Sequence, residues 1–409
     1  MDLTADSLVE ALLTCSGEPA DGPAEIVALV RKAQPSFAAT LFSAWRAGGD
    51  ELSPALRDEI AAARARVEYY RAVAAGLMAA VDGLTTIKGL EVAALYPPGL
   101  VRYMNDLDFI ASSETALWRA VGFLTGDGWE LDTGTFSCWG GALQVLVSLR
   151  RSHEDRYQLP YGIELATYYT LGNQGGIPPV LRLPEQWRVP AVKNMLMLLH
   201  ERYEQPFRAR DLLDAALLND ALRGTEPDAL HEAVVTLGLA VEYAELVRLT
   251  TKAGIGSLRE LPGGQWTMAR VRAHRLARGA GFFTRPLAGT GRHLQRRLMM
   301  GNPSRAEGMV WDAVQRRLQV ATAVPAGLLA FGLPLEGPRP EVSTAVLRRR
   351  GKLAWADTPA GRFLLTIGDE VSEEAVEELS TPEGGTGGPS HSQRAQAEDQ
   401  AEQVAGHGS

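Results

Sequence analysis

Apolar and polar positions along this chain change period three times. In the first eighty residues the apolar positions recur at helical spacing: Leu8, Leu12 and Leu13 mark a first helix, and a long Ala-rich run from Ser53 to Val81 follows. That run places Leu56, Ile60, Ala63, Val67 and Tyr70 on one stripe and Arg57, Glu59, Arg64 and Arg66 elsewhere, which predicts a helix with one buried face. From Leu84 to about Trp187 the pattern shortens into strands over 84–88, 105–112, 129–138, 142–150 and 161–168, with helices over 89–96 and 113–125 between them. Ser112 or Ser113 is placed to cap the second of these, with Glu114 favouring the helix dipole. After Pro184 and Pro190 the helical period returns over 192–203, 207–222, 229–237 and 241–251.

The order of elements predicts an α+β protein with a small mixed sheet flanked by N-terminal and C-terminal helical domains. Its divisions are an N-terminal helical region over 1–83, a sheet domain over 84–190, a helical domain over 191–369, and a tail over 370–409 that is first acidic and then Gly/Ser-rich. That tail has no apolar period from about Pro382, so it cannot bury enough surface to offset its ordering entropy and is expected to be disordered. A length of 409 residues supports more than one core.

Composition adds limits rather than a function. The net charge of −8 argues against a general polyanion binder, although 268–352 is rich in arginine. Aromatics are sparse there (Phe282, Phe283, Trp311, Phe331), which is poor for stacking bases, so solvated arginine faces are the better reading. Two cysteines, Cys15 and Cys138, form neither a disulfide framework nor a zinc motif. The N-terminus lacks a basic leader, and the apolar stretch near 320–335 is broken by Pro325, Gly327, Gly332 and Pro334. A cytoplasmic location without membrane contact is expected.

The chemistry concentrates between Ile87 and Ile110. Asp106 and Asp108 lie two apart in a predicted strand among Leu107, Phe109 and Ile110, so both carboxylates point to one face. Aspartate is uncommon in strands, and two acids on a half-buried face need a partner. Mg²⁺, or Mn²⁺ in its place, fits, because it takes one or two protein carboxylates and leaves its other positions to water and phosphate. Glu164, between Ile163 and Leu165, is a third candidate acid; it would complete a second metal position, or else pair with Arg150 or Arg102. Lys88 and Gly89 join a strand to a helix, where glycine permits close approach and lysine adds a point charge for phosphate. Arg102 either clamps phosphate or holds Asp106 or Asp108; the guanidinium geometry suits both. Arg210, Asp211 and Asp214 read as an ion-pair network docking a helix, and His200 as a helix-end histidine.

Lys88, Gly89, Tyr96, Pro97, Arg102, Asp106 and Asp108, followed by Gly128, Trp129 and the segment Tyr161 to Leu165, resemble the uncharacterised nucleotidyltransferase-like family of the DNA polymerase β superfamily. The resemblance covers roughly residues 1–250. It implies a nucleotidyltransferase core, an NTP co-substrate, Mg²⁺ on Asp106, Asp108 and Glu164, triphosphate positioning by Lys88, Gly89 and Arg102, and transfer to an acceptor that is a small molecule, peptide or protein, with nucleic acid less favoured. The family often continues its third acid with Leu-His-Trp, where this chain reads Leu165, Ala166, Thr167, Tyr168. That difference fits the alternative, a nucleotide-binding or partner-binding protein of the same fold without turnover.

Overall fold

A computed structural model describes residues 3–139, 141–169, 183–202, 205–260, 319–325, 327–368, 371 and 373–380. Nine strands among them form one mixed sheet, and helices pack on its two faces.

The N-terminal fifth is helical, as its period predicts. It comprises α1 (Ala5–Ser16), α2 (Pro23–Ala33), α3 (Pro35–Gly48) and the long α4 (Pro54–Ala80). Thr4 and Ser7 exchange bonds in a capping box at the start of α1, and the Ser53 hydroxyl caps α4 by accepting from the Leu56 N–H. Next come β1 (Leu84–Ile87), the five-residue α5 (Gly89–Ala93), β2 (Asp106–Ala111), α6 (Glu114–Gly126), β3 (Glu130–Trp139), β4 (Ala142–Arg151) and β5 (Tyr161–Ala166). Ser113 is the cap of α6, accepting from the Ala116 N–H. A second helical set follows: α7 (Pro190–Glu201), α8 (Ala209–Ala221), α9 (Glu226–Thr236) and α10 (Ala240–Lys252).

The strand order is β1-β2-β5-β4-β3, with β2 and β5 parallel and the other neighbours antiparallel. Odd-numbered β2 residues (Leu107, Phe109, Ala111) and Ile163 and Leu165 of β5 enter a core shared with α4 and α6. On the opposite face, Ile87, Ile110 and Ala166 meet α5 and a second core that joins α1–α3 to α7–α10. The helices before and after the sheet segment therefore share one core instead of flanking the sheet as separate domains.

The C-terminal third departs from expectation. After a short helix α11 (Val320–Ala323), the chain forms β6 (Ala330–Leu335), β7 (Val346–Arg350), β8 (Leu353–Thr358) and β9 (Gly361–Thr366), where a helical domain to residue 369 was expected. β6 pairs with β3, and β9, β8 and β7 follow in order, so the expected small sheet becomes nine strands wide. Gly134 and Gly332 are register partners at this seam, and a Cβ on either would lie 2.8 Å from the Phe136 ring. The two glycines make room for the edge-to-face pair Phe136 and Phe363, both fully buried. The sequence pattern conceals these strands because Gly332 and Pro334 interrupt β6, and arginines dominate β7. Arg348 pairs with Asp357 on the neighbouring strand at 2.5 Å, and Arg350 with Glu378 of α12 (Glu373–Ser380). That helix also lies inside the expected tail, with Ala375 and Leu379 buried against Trp355 and Leu364. The tail beyond Ser380 and most of the arginine-rich segment, including Arg270 to Arg317, lie outside the described residues. No helix among the described residues is long and apolar enough to cross a membrane.

Candidate functional site

The register brings the three predicted acids to one face. Asp106 and Asp108 share the even-numbered face of β2, and Asp108 is the register partner of Glu164 on the parallel neighbour β5. Asp106 opposes Gly162, which bears no side chain to compete with it. Burial is graded along β2: Asp106 is exposed, Asp108 half-buried and Ile110 buried under the helical layer. The acids thus stand at the margin of the covering helices, where both protein and solvent can reach them.

Their electrostatics are those of crowded carboxylates. Burial pushes the Asp108 carboxyl well above the ordinary aspartate value, and Asp106, Glu164 and Glu201 add to the rise while Lys88 opposes it. Like charges held this close favour either a proton or a cation among them. The donor set is hard oxygen, and two carboxylates suffice for Mg²⁺. Among the described residues no group of three or more His, Cys, Asp or Glu is already gathered about one metal-sized point. The aspartate pair, with Glu164 alongside in register, is the part of the set that suits such an ion as it stands.

Arg66 fixes the starts of both acid-bearing strands. The helical stripe placed it away from the buried face of α4, yet it is buried, and its guanidinium donates to the carbonyls of Met104 (2.8 Å), Asn105 (2.9 Å), Leu159 (2.8 Å) and Pro160 (2.5 Å). Tyr70 continues the clamp: its hydroxyl donates to the Asn105 carbonyl (2.6 Å) and accepts from the Gly162 N–H (3.0 Å). Four carbonyls spread over two loops satisfy a buried cation that has fixed donor geometry. Nothing in the local sequence signals this, because its partners lie up to 94 residues away.

Arg102 takes neither of its expected roles. It is buried and donates from Nε and Nη2 to Asp214 of α8, with the shortest bond 2.7 Å. The Tyr96 hydroxyl donates to the same carboxylate at 2.6 Å. The pair docks α8 onto the loop preceding β2, the structural task read for Asp214 from its helix, and leaves the guanidinium pointed into the protein rather than at a phosphate or at Asp106 and Asp108. Nor is Arg150 the expected partner of Glu164, since it bonds Asp132 at 3.1 Å.

Gly89 also differs from its expected use. A Cβ there would meet the Met104 Cε at 2.6 Å, so the close approach it permits is to the protein's own side chain. Helix α5 is only five residues long, which makes its dipole a weak phosphate trap.

Lys88 is the member of the Lys-Gly pair whose charge acts on the acids, since it opposes the rise at Asp108. Its backbone has φ 54° and ψ −121°, a conformation comfortable only for glycine, and it is the one non-glycine residue with positive φ among the described residues. Such strain costs about 1–3 kcal/mol and persists only where surrounding structure over-determines it. Here the Lys88 N–H donates to Asn194 Oδ1 (2.6 Å), while Asn194 Nδ2 donates to Glu91 (2.7 Å) and Lys193 Nζ donates to Glu91 and to the Thr86 carbonyl (both 2.9 Å). The Lys88 ammonium meets Glu201 Oε1 at 2.7 Å. Burial alone would raise the Glu201 carboxyl, but Lys88, then Arg210 and Arg102, outweigh it and hold it below the ordinary glutamate value. His200, beside it, is buried within α7. Lys193, Asn194 and Glu201 were invisible as site residues in the sequence; their only signal is a lysine and an asparagine inside an otherwise apolar helix.

No known family model, curated protein or solved structure matches this chain.

Proposed function

We propose that this protein is a metal-dependent nucleotidyltransferase, moving a nucleoside monophosphate from an NTP to a hydroxyl or phosphate acceptor. The observation that carries the reading is the face shared by Asp106 and Asp108 with Glu164 in register beside them. Asp106 and Asp108 would hold Mg²⁺ or Mn²⁺, and Glu164 would border the acceptor side. Once bound, the ion would supply charge stabilisation to the phosphates and to the attacking and leaving oxygens. Lys88 would lend a positive charge to the triphosphate, and Glu164 would accept the proton of the attacking hydroxyl. The acceptor oxygen bonds to the α-phosphorus as the bridge to the β-phosphate breaks, and pyrophosphate leaves. Arg66 and Tyr70 contribute by fixing the two strands before any ligand arrives, which keeps the reacting geometry from being assembled at entropic cost in each turnover.

A second reading, a binding protein without turnover, draws on two observations: Arg102 is committed to Asp214, and Lys88 to Glu201. Incubation with α-labelled NTPs, Mg²⁺ and candidate acceptors, including the protein itself, separates the two. Label transfer with pyrophosphate release, lost in Asp106→Asn and Asp108→Asn, supports the transferase. Nucleotide binding with no pyrophosphate supports the second reading. For Glu164→Gln, turnover reduced by orders of magnitude with nucleotide affinity changed only a few fold supports its place at the acceptor side, whereas a destabilised but fully active variant removes it from the site.

A further inference from the structure

We propose that Glu201 is a positioning residue that holds the Lys88 ammonium beside the acid pair but off it, so that a divalent cation and not the lysine neutralises Asp106 and Asp108. The proposal rests on the metal-dependent reading of those two aspartates.

Three features place this role on α7. First, α7 grips the backbone at and just before Lys88: Asn194 accepts its N–H at 2.6 Å, and Lys193 donates to the Thr86 carbonyl at 2.9 Å. Both side chains are buried, and Glu91 links them. Second, Glu201 lies seven residues beyond Asn194, two turns along the same helix face, and meets the far end of the same lysine at 2.7 Å. One helix thus sets both the backbone and the ammonium of Lys88. Third, the charge of the lysine is shared between carboxylates of two elements. Lys88 follows Ile87, the register partner of Asp108, and its charge acts on Asp108 as well as on Glu201. With no competing acid, an ammonium next to Asp108 would form the ordinary lysine–carboxylate pair there and neutralise the site. The lysine has an alternative partner in Glu201, met at 2.7 Å, whose negative charge Arg210 and Arg102 also favour. A lysine in a glycine-type conformation is a costly way to dock two elements, whereas it does aim one ammonium at one place.

Mn²⁺ binding to the full-length protein, measured by electron paramagnetic resonance without nucleotide, tests this with Glu201→Gln, Lys88→Met and the double variant. Freed from Glu201, Lys88 turns to Asp108, so Glu201→Gln is expected to weaken Mn²⁺ binding roughly tenfold. Lys88→Met is expected to bind Mn²⁺ as tightly as the wild type or tighter, and the double variant to match Lys88→Met, because Glu201 acts only through the lysine. Glu201→Asp, which keeps the carboxylate, should recover most of the affinity lost in Glu201→Gln. A merely structural ion pair would change thermal stability without this pattern. Unchanged Mn²⁺ affinity in Glu201→Gln, or an equal loss with and without Lys88, overturns the proposal while leaving the function standing. If Glu201→Gln does not fold, Lys88→Met decides alone: weaker Mn²⁺ binding overturns the proposal, equal or tighter binding supports it. A wild-type protein that binds no Mn²⁺ overturns the metal-dependent function itself, and this proposal with it.

Discussion

Replacing Arg102 by methionine tests the main reassignment made by the structure, from a phosphate clamp to a buried ion pair. Both partners are almost fully buried, with 8% and 4% of their side chains exposed, and the guanidinium makes three bonds to Asp214. Removing one partner of such a pair leaves an uncompensated charge in the interior and costs about 3–5 kcal/mol. The Tyr96 hydroxyl still donates to Asp214 at 2.6 Å, which places the expected loss for Arg102→Met toward the lower end of that range. Arg102→Met combined with Asp214→Asn removes both charges while keeping an acceptor for Tyr96. It should recover about 2 kcal/mol of the loss, the size of coupling found between residues in direct contact. Urea denaturation of the single and double variants measures each quantity, with nucleotide affinity recorded in parallel. A stable Arg102→Met protein that has lost nucleotide binding would refute the structural assignment and restore the clamp.

Asp108→Asn should stabilise the metal-free protein at pH 8. The folded Asp108 carboxyl titrates above its unfolded value, so the folded state holds its proton longer and stability falls as pH rises through that interval. The wild-type melting temperature should therefore drop from pH 4 to pH 8 more steeply than the variant's, and only the wild type should regain stability on adding Mn²⁺. Asp211 offers a second pH test: burial raises its carboxyl from 3.8 to about 6, so it costs nothing below 3.8 and about 3 kcal/mol once ionised above 6. Asp211→Asn retains an acceptor for the Arg208 N–H and should be more stable than wild type at pH 7.5 but equal to it below pH 3.8; equal melts at both values would contradict the assignment. Gly332→Ala places a Cβ 2.8 Å from the Phe136 ring and 3.0 Å from the Phe363 Cβ, and should cost about 1–3 kcal/mol in a chemical melt. A wild-type melt for that variant would show that the β3–β6 seam is looser than its packing indicates.

Periodicity by itself determined the strands and helices between Leu84 and Lys252 and the facing of the acids. Strands predicted over 105–112 and 161–168 form at Asp106–Ala111 and Tyr161–Ala166, and the two-residue repeat of a strand is enough to put Asp106 and Asp108 on one side. The Ser113 cap and the four helices after Pro190 were legible for the same reason: their signals lie within one or two turns of sequence. Only the tertiary structure decided which charges meet. Arg102 finds Asp214 across 112 residues, and Arg66 reaches carbonyls 38 to 94 residues away. Lys88 is claimed by Glu201 because α7 happens to cross the β1–α5 turn. A guanidinium suits phosphate, carboxylate and carbonyl oxygen equally well, so its sequence neighbours carry no information on which it will bind. The strands of the C-terminal third were hidden by the same limit. β7 carries Val346, Leu347 and three successive arginines, a pattern with no apolar face of its own, and it becomes a strand because β8 supplies backbone partners and Asp357 takes one of the charges.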